Sequence, residues 1–134
     1  MTHYIGMDAH SSSCTLCVTD AVGREIDNVT LPTNGKVIKN YLRNINGIKK
    51  LTFEECELSR WLFGIVSPEV NELLICNPVA NREYKKAKTD KLDARKLAKL
   101  LRGCFLTPVF HDGSERERFR NLMSSYQDII EEGI

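Results

Sequence analysis

Glu72-Leu73-Leu74-Ile75-Cys76-Asn77 is a nearly continuous apolar run, and Pro78 ends it. A strand without polar alternation is one whose two faces are both covered. The residue before a proline is pushed away from helical geometry, so Asn77-Pro78 marks the strand end. This segment therefore predicts a sheet with helices on both sides.

Toward the N-terminus, Leu58, Trp61, Leu62, Ile65 and Val66 recur at helical spacing, closed by Ser67-Pro68. Trp61 lies on that apolar stripe and is expected in the core. Before it, Lys50-Leu51-Thr52-Phe53-Glu54-Glu55 reads as a short strand ending in acid. Val37, Ile38, Tyr41, Leu42 and Ile45 form an amphipathic helix between the break Pro32-Thr33-Asn34-Gly35 and Asn46-Gly47. The chain opens with strands at Tyr4–Asp8, Thr15–Thr19 and Glu25–Leu31, joined by the polar turn Ala9–Ser13 and by Asp20-Ala21-Val22-Gly23. An antiparallel meander followed by alternating helices and strands, β-β-β-α-β-α-β, implies a mixed five-stranded α/β sheet.

Toward the C-terminus, Lys88–Gly103 reads as a helix in which Leu97, Leu100 and Leu101, extended by Leu92, Ala94 and Ala98, make the buried stripe and Gly103 the stop. Asp90 and Asp93 fall on its first turn, three residues apart and facing the same way, so they could grip one ion. They equally suit an N-cap and its N3 partner, complementing the helix dipole. Their setting is basic: from Arg82 to Arg102 there are nine Lys and Arg against three acids, a local charge of +6, while the rest of the chain carries −5. Arg82, Lys85, Lys86, Lys88, Lys91 and Arg95 are thus candidate phosphate contacts for nucleic acid. After an extended piece at Thr107–Gly113, Ser114 and Glu117 form a capping box. Phe119, Leu122, Met123, Tyr126, Ile129 and Ile130 then make the stripe of a last helix, which packs on the domain or on another chain; a helix partner in a dimer is the favoured expectation.

At 134 residues, 42% apolar and 28% charged, the sequence suits one globular domain. No run approaches the roughly 18–20 apolar residues of a membrane span, and Met1-Thr2-His3-Tyr4 has no signal-peptide character, so a cytoplasmic setting is expected. There are no internal repeats. Five scattered cysteines argue for reduced, mostly buried thiols. Cys14 and Cys17 match CxxC, but three residues apart on a strand they point to opposite faces. His10 lies near Asp8, where it could touch substrate, and otherwise reads as a surface turn residue.

Strand ends and helix starts collect four acids: Asp8, Glu54 or Glu55, Asp90 and Asp93. Carboxylate oxygens suit hard cations such as Mg²⁺ or Mn²⁺, and four of them suit two ions acting together on a phosphodiester. Without metal, such clustered acids would repel one another.

Tyr4-Ile5-Gly6-Met7-Asp8, Leu51-Thr52-Phe53-Glu54-Glu55, Asn77-Pro78 and Lys88-Thr89-Asp90-Lys91-Leu92-Asp93-Ala94-Arg95-Lys96-Leu97-Ala98 resemble the N-terminal domain of DEDD-type insertion-sequence transposases of the IS110 family. The resemblance implies a RuvC-like, RNase H-like fold over residues 1–113. It implies the start of an interdomain coiled coil over 114–134, and a metal-binding catalytic tetrad of Asp8, Glu54, Asp90 and Asp93. Glu54 follows the apolar strand end as the family's acid does, with Glu55 still open; Cys56-Glu57 stands where a glycine is common in the family. The resemblance further implies DNA as substrate, a structured guide RNA, and a second domain with a catalytic serine. The sequence ends before that second domain, so strand exchange is not expected of it; Mg²⁺ binding, weak nucleic-acid binding and slow phosphodiester cleavage are.

Two other readings predict different behaviour. A non-catalytic module would bind phosphates through residues 82–102, with steep salt dependence and no need for Mg²⁺. An actin-like or sugar-kinase-like nucleotide domain would need a glycine-rich phosphate loop, and none is present beyond isolated Gly6 and Gly23.

Overall fold

The computed structural model describes residues 1–78, 92–106 and 108. Its elements run β1 (Thr2–Ala9), β2 (Ser13–Thr19), β3 (Glu25–Pro32), α1 (Gly35–Arg43), β4 (Ile48–Glu54), α2 (Ser59–Val66) with a 3-10 turn at Ser67–Glu69, β5 (Glu72–Cys76) and α3 (Ala94–Arg102). The sheet order is β3-β2-β1-β4-β5. β1, β2 and β3 pair antiparallel, and β4 lies parallel to both β1 and β5. This is the mixed five-stranded α/β sheet of an RNase H-like fold, with a helix layer on each face.

Alternation along the strands divides the residues between the two layers. On one face, Ile5, Met7, Leu16, Val18, Leu51, Phe53, Leu73 and Ile75 pack against Ile38 and Leu42 of α1 and Leu62, Phe63 and Val66 of α2. Truncating one of the fully buried side chains here, such as Leu51, would cost about 2–5 kcal/mol. On the other face, Cys17 packs with Ala94 and Ala98, while Cys76 and Leu74 pack with Leu92, Leu97 and Leu100. Cys14 and Cys17 thus do point to opposite faces, one in each layer.

α3 lies against β1 because Gly6 leaves room for it. A Cβ at residue 6 would collide with the Ala94 carbonyl oxygen and the Ala98 amide nitrogen. The helix ends at the other edge of the sheet, where Arg102 Nη1 donates to Ala21 O at 3.4 Å beside Gly23 (φ +92°) in the β2–β3 turn. Asp20 braces that turn by accepting from the amides of Val22 (3.0 Å) and Arg24 (2.9 Å). These hydrogen bonds, Arg24's amide first, hold its carboxyl below the usual range.

Two sequence expectations need correction, while Gly103 does end its helix. α3 starts at Ala94, not Lys88, with Asp93 as its N-cap. The leucine stripe is genuine, but it fixes only the part of the segment that packs on the sheet. At the other end, the C-cap Gly103 has ordinary right-handed geometry and Cys104 is the left-handed residue (φ 61°). Trp61 is 41% exposed, because the buried face of α2 is formed by Ser59, Leu62, Phe63 and Val66. The C-terminal helix expected at 114–132 lies outside the described residues, as does most of Thr107–Gly113. Pro108 is described and forms an isolated antiparallel bridge with Cys76. Among the described residues no helix is long and apolar enough to cross a membrane.

Candidate active site

Parallel pairing sets β1 and β4 so that Gly6 lies opposite Thr52 and Met7 opposite Phe53. Carried on by one residue, this register brings Asp8 level with Glu54. Both belong to the face that carries Gly6 and Thr52, because side chains two apart on a strand share a face. Neighbouring strands are roughly 4.8 Å apart, so two carboxylates at level positions can reach one ion. Glu54 is 7% exposed and Asp8 half-buried, with its Oδ1 atom shielded from solvent.

The lead into α3 crosses this corner. The Leu92 amide donates to Glu54 Oε1 at 3.4 Å, joining the end of β4 to the residue before Asp93. Asp93 Oδ1 then accepts from the Lys96 amide at 2.8 Å as the helix cap. The amino end of α3, with its positive partial charge, is therefore turned toward the edge where β1 and β4 end in acid. Glu55 has the other orientation: it is exposed, and its amide donates to Cys76 O at 3.0 Å.

The described residues include three of the four acids singled out in the sequence: Asp8 and Glu54 at level strand positions, and Asp93 as the cap of α3. Asp90 lies outside the described residues, as do Arg82, Lys85, Lys86, Lys88 and Lys91. Among the described residues no group of three or more His, Cys, Asp or Glu side chains is gathered closely enough to hold a metal ion.

Residues 5–133 match the family model for DEDD transposases of the IS110 type, described as "Transposase". The chain belongs to the DEDD family of IS110-type transposases. No curated protein matches it significantly. Family membership supports the role of a transposase catalytic domain; the family implies DNA as substrate and suggests use of divalent metal in general.

Within this transposase domain Arg95, singled out as a phosphate contact, has a partner in the protein. Its Nε donates to Glu25 Oε1 at 2.7 Å and its Nη2 to Glu25 Oε2 at 3.4 Å, tying α3 to the edge strand β3. The Arg95 hydrogen bond holds the Glu25 carboxyl below its ordinary value, and the guanidinium is raised in turn. Cys17 lies beneath this pair and donates to Glu25 Oε1 at 3.6 Å. Burial, then the Glu25 charge, push its thiol up to about 11, so it stays protonated at neutral pH.

Two features of the site were missed in the sequence. The role of Gly6 had a signal, since a glycine inside a strand pattern marks close approach of another backbone. The Glu25–Arg95 pair had none, because its members are 70 residues apart.

Proposed function

We propose that Asp8, Glu54, Asp90 and Asp93 form the metal-binding catalytic tetrad of this transposase domain, holding two Mg²⁺ or Mn²⁺ ions against a DNA phosphodiester. The observation that carries the reading is the level placement of Asp8 and Glu54 on one face of two adjacent parallel strand ends, beside the Asp93-capped start of α3. The donor set is all carboxylate oxygen, which fits a hard divalent cation and not a soft one. Two such ions, when bound, activate a nucleophile on one side of the phosphorus and stabilise the leaving oxygen on the other.

The chain's own residues do the positioning. Asp8 and Glu54 present oxygens from strands fixed in the sheet, and the Leu92 amide restrains Glu54 Oε1. Asp93 gives Oδ1 to the cap, so its other oxygen is the one to offer an ion. The positive end of α3 offsets part of the repulsion among the acids. The part of Asp90 rests on its place in the motif. Arg82, Lys85, Lys86, Lys88 and Lys91 supply the electrostatic path for the phosphates. A structured guide RNA and self-association through residues 114–134 complete the proposal.

The test is cleavage of labelled DNA by the purified chain with and without Mn²⁺, comparing the wild type with Asp8→Asn. The proposal expects slow nicking that requires the ion and is lost in the variant, with DNA affinity kept. Salt-sensitive DNA binding with no nicking and no response to metal would make the chain a phosphate-binding module.

A further inference from the structure

Trp61 is the chain's single tryptophan, and α2 is turned so that Ser59, Leu62, Phe63 and Val66 are buried while Trp61 stays 41% exposed. One exposed ring is ordinary on a protein surface, but this one has particular surroundings. A Cβ at Gly35, the first residue of α1, would meet Ile65 Cδ1 at 2.7 Å and Trp61 Cζ2 at 3.8 Å, so the benzo edge of the indole is seated against the start of α1. Both helices begin at the sheet edge that carries Asp8 and Glu54. Neither contains an acid, whereas α1 carries Lys36, Lys39 and Arg43 and α2 carries Arg60. Arg43 is occupied by Glu69, at 2.9 and 3.0 Å, but Lys36, Lys39 and Arg60 enter no ion pair among the described residues. The acid nearest to Trp61 in the chain is Glu57, in the turn before α2.

An aromatic side chain takes a nucleic-acid base by stacking whatever the base, and cations around it hold the phosphates on either side. Stacking needs a base freed from its neighbours, which a continuous duplex does not offer. We propose that Trp61 is a stacking platform for an unpaired base of a DNA strand, with Lys36, Lys39 and Arg60 as its phosphate contacts. The excess of positive charge on two helices without acids favours a polyanion over an apolar partner. Trp61 belongs to the helix layer on one face of the sheet, while Asp8 and Glu54 belong to the other face of the same edge. A strand engaged at the acids therefore rounds that edge to reach the indole. This rests on DNA as the substrate, as proposed above, and not on metal binding by the acids.

The experiment follows the tryptophan emission of the wild-type chain as single-stranded oligothymidylate is added in EDTA, which keeps the metal site out of the result. Anisotropy of the labelled oligomer then gives affinities for wild type, Trp61→Ala, Trp61→Phe and the double variant Lys36→Gln/Arg60→Gln, with the melting temperature of each. The proposal expects saturable quenching by the single strand and little by a duplex of the same length. It expects Trp61→Ala to bind about 10-fold more weakly at a melting temperature close to wild type, with Trp61→Phe recovering most of the loss. The double variant should bind more weakly with a shallower salt dependence. Binding that leaves the emission unchanged, or equal affinity in wild type and Trp61→Ala, overturns the proposal and routes DNA elsewhere. An indole that acrylamide cannot quench overturns it too, since the chain's own residues 114–134 or a second copy would then cover Trp61. Tighter, Trp61-dependent binding of oligouridylate would make the occupant RNA instead of DNA. A wild-type chain that binds no DNA removes the DNA reading and the proposal together, whereas loss of Mn²⁺-dependent nicking with stacking intact removes the tetrad alone.

Discussion

The carbonyl oxygen of Ala94 occupies the space that any side chain at residue 6 would have to fill. Gly6 lies two residues before Asp8, and Ala94 follows Asp93, so this contact between backbones sets the spacing of two of the site's acids. Gly6→Ala should push α3 off the sheet and destabilise the fold by about 1–3 kcal/mol, the range for overpacking a close contact. Denaturant unfolding checks the cost. A neutral substitution would mean that the helix can shift without penalty.

Asp93 has two duties that substitution can separate. Asp93→Ala removes the α3 cap and should cost about 1 kcal/mol. Asp93→Asn keeps an oxygen for the Lys96 amide, so it should retain most of that stability while losing the charge an ion needs. Thermal melts and Mn²⁺ titrations on both variants distinguish the roles; equal stability of the two would mean that the cap contributes nothing.

The Glu25–Arg95 pair predicts a pH dependence of definite sign. Arg95 lowers the folded-state value of Glu25, so the folded state favours the carboxylate relative to the unfolded chain. The contribution is fully present above the ordinary glutamate value of about 4.3 and is lost as pH falls through the lowered folded value. Glu25→Gln should therefore lower the melting temperature at pH 7, with the gap to wild type closing below pH 4. A gap that persists in acid would assign the effect to packing.

Thiol labelling should separate the cysteines by layer. Cys104 is exposed and should react at once at pH 8, whereas Cys14, Cys17 and Cys76 are buried and should react only on unfolding. Cys17 is doubly protected, by burial and by a thiol raised to about 11. Rapid labelling of Cys17 in the native protein would mean that α3 does not rest on β2.

Much of this was legible in the sequence, because most elements bury one face and their periodicity shows it. Ile5 and Met7 alternate with Gly6 and Asp8, so β1 and its terminal acid could be read directly. The same alternation puts Glu54 on the Asp8 side, a choice that the doublet Glu54-Glu55 conceals in one dimension. Helical spacing over-extends α3 because Asp90 and Asp93 satisfy that spacing as well as they satisfy a cap. Periodicity misplaces Trp61 because the apolar residues of α2 spread over more than its buried stripe, while Ser59, a polar residue, takes a core position and accepts from the Cys56 amide. Contacts between distant segments, Thr33 with His10 and Glu25 with Arg95, have no periodic signature at all.

The central claim is that Asp8 and Glu54 share one metal site. Calorimetric titration of Mn²⁺ into wild type, Asp8→Asn, Glu54→Gln and Glu55→Gln tests it most directly, with circular dichroism confirming that each variant is folded. The account predicts saturable binding in wild type and Glu55→Gln and its loss in Asp8→Asn and Glu54→Gln. Binding that survives Glu54→Gln but fails in Glu55→Gln, or that none of the three substitutions disturbs, would contradict it.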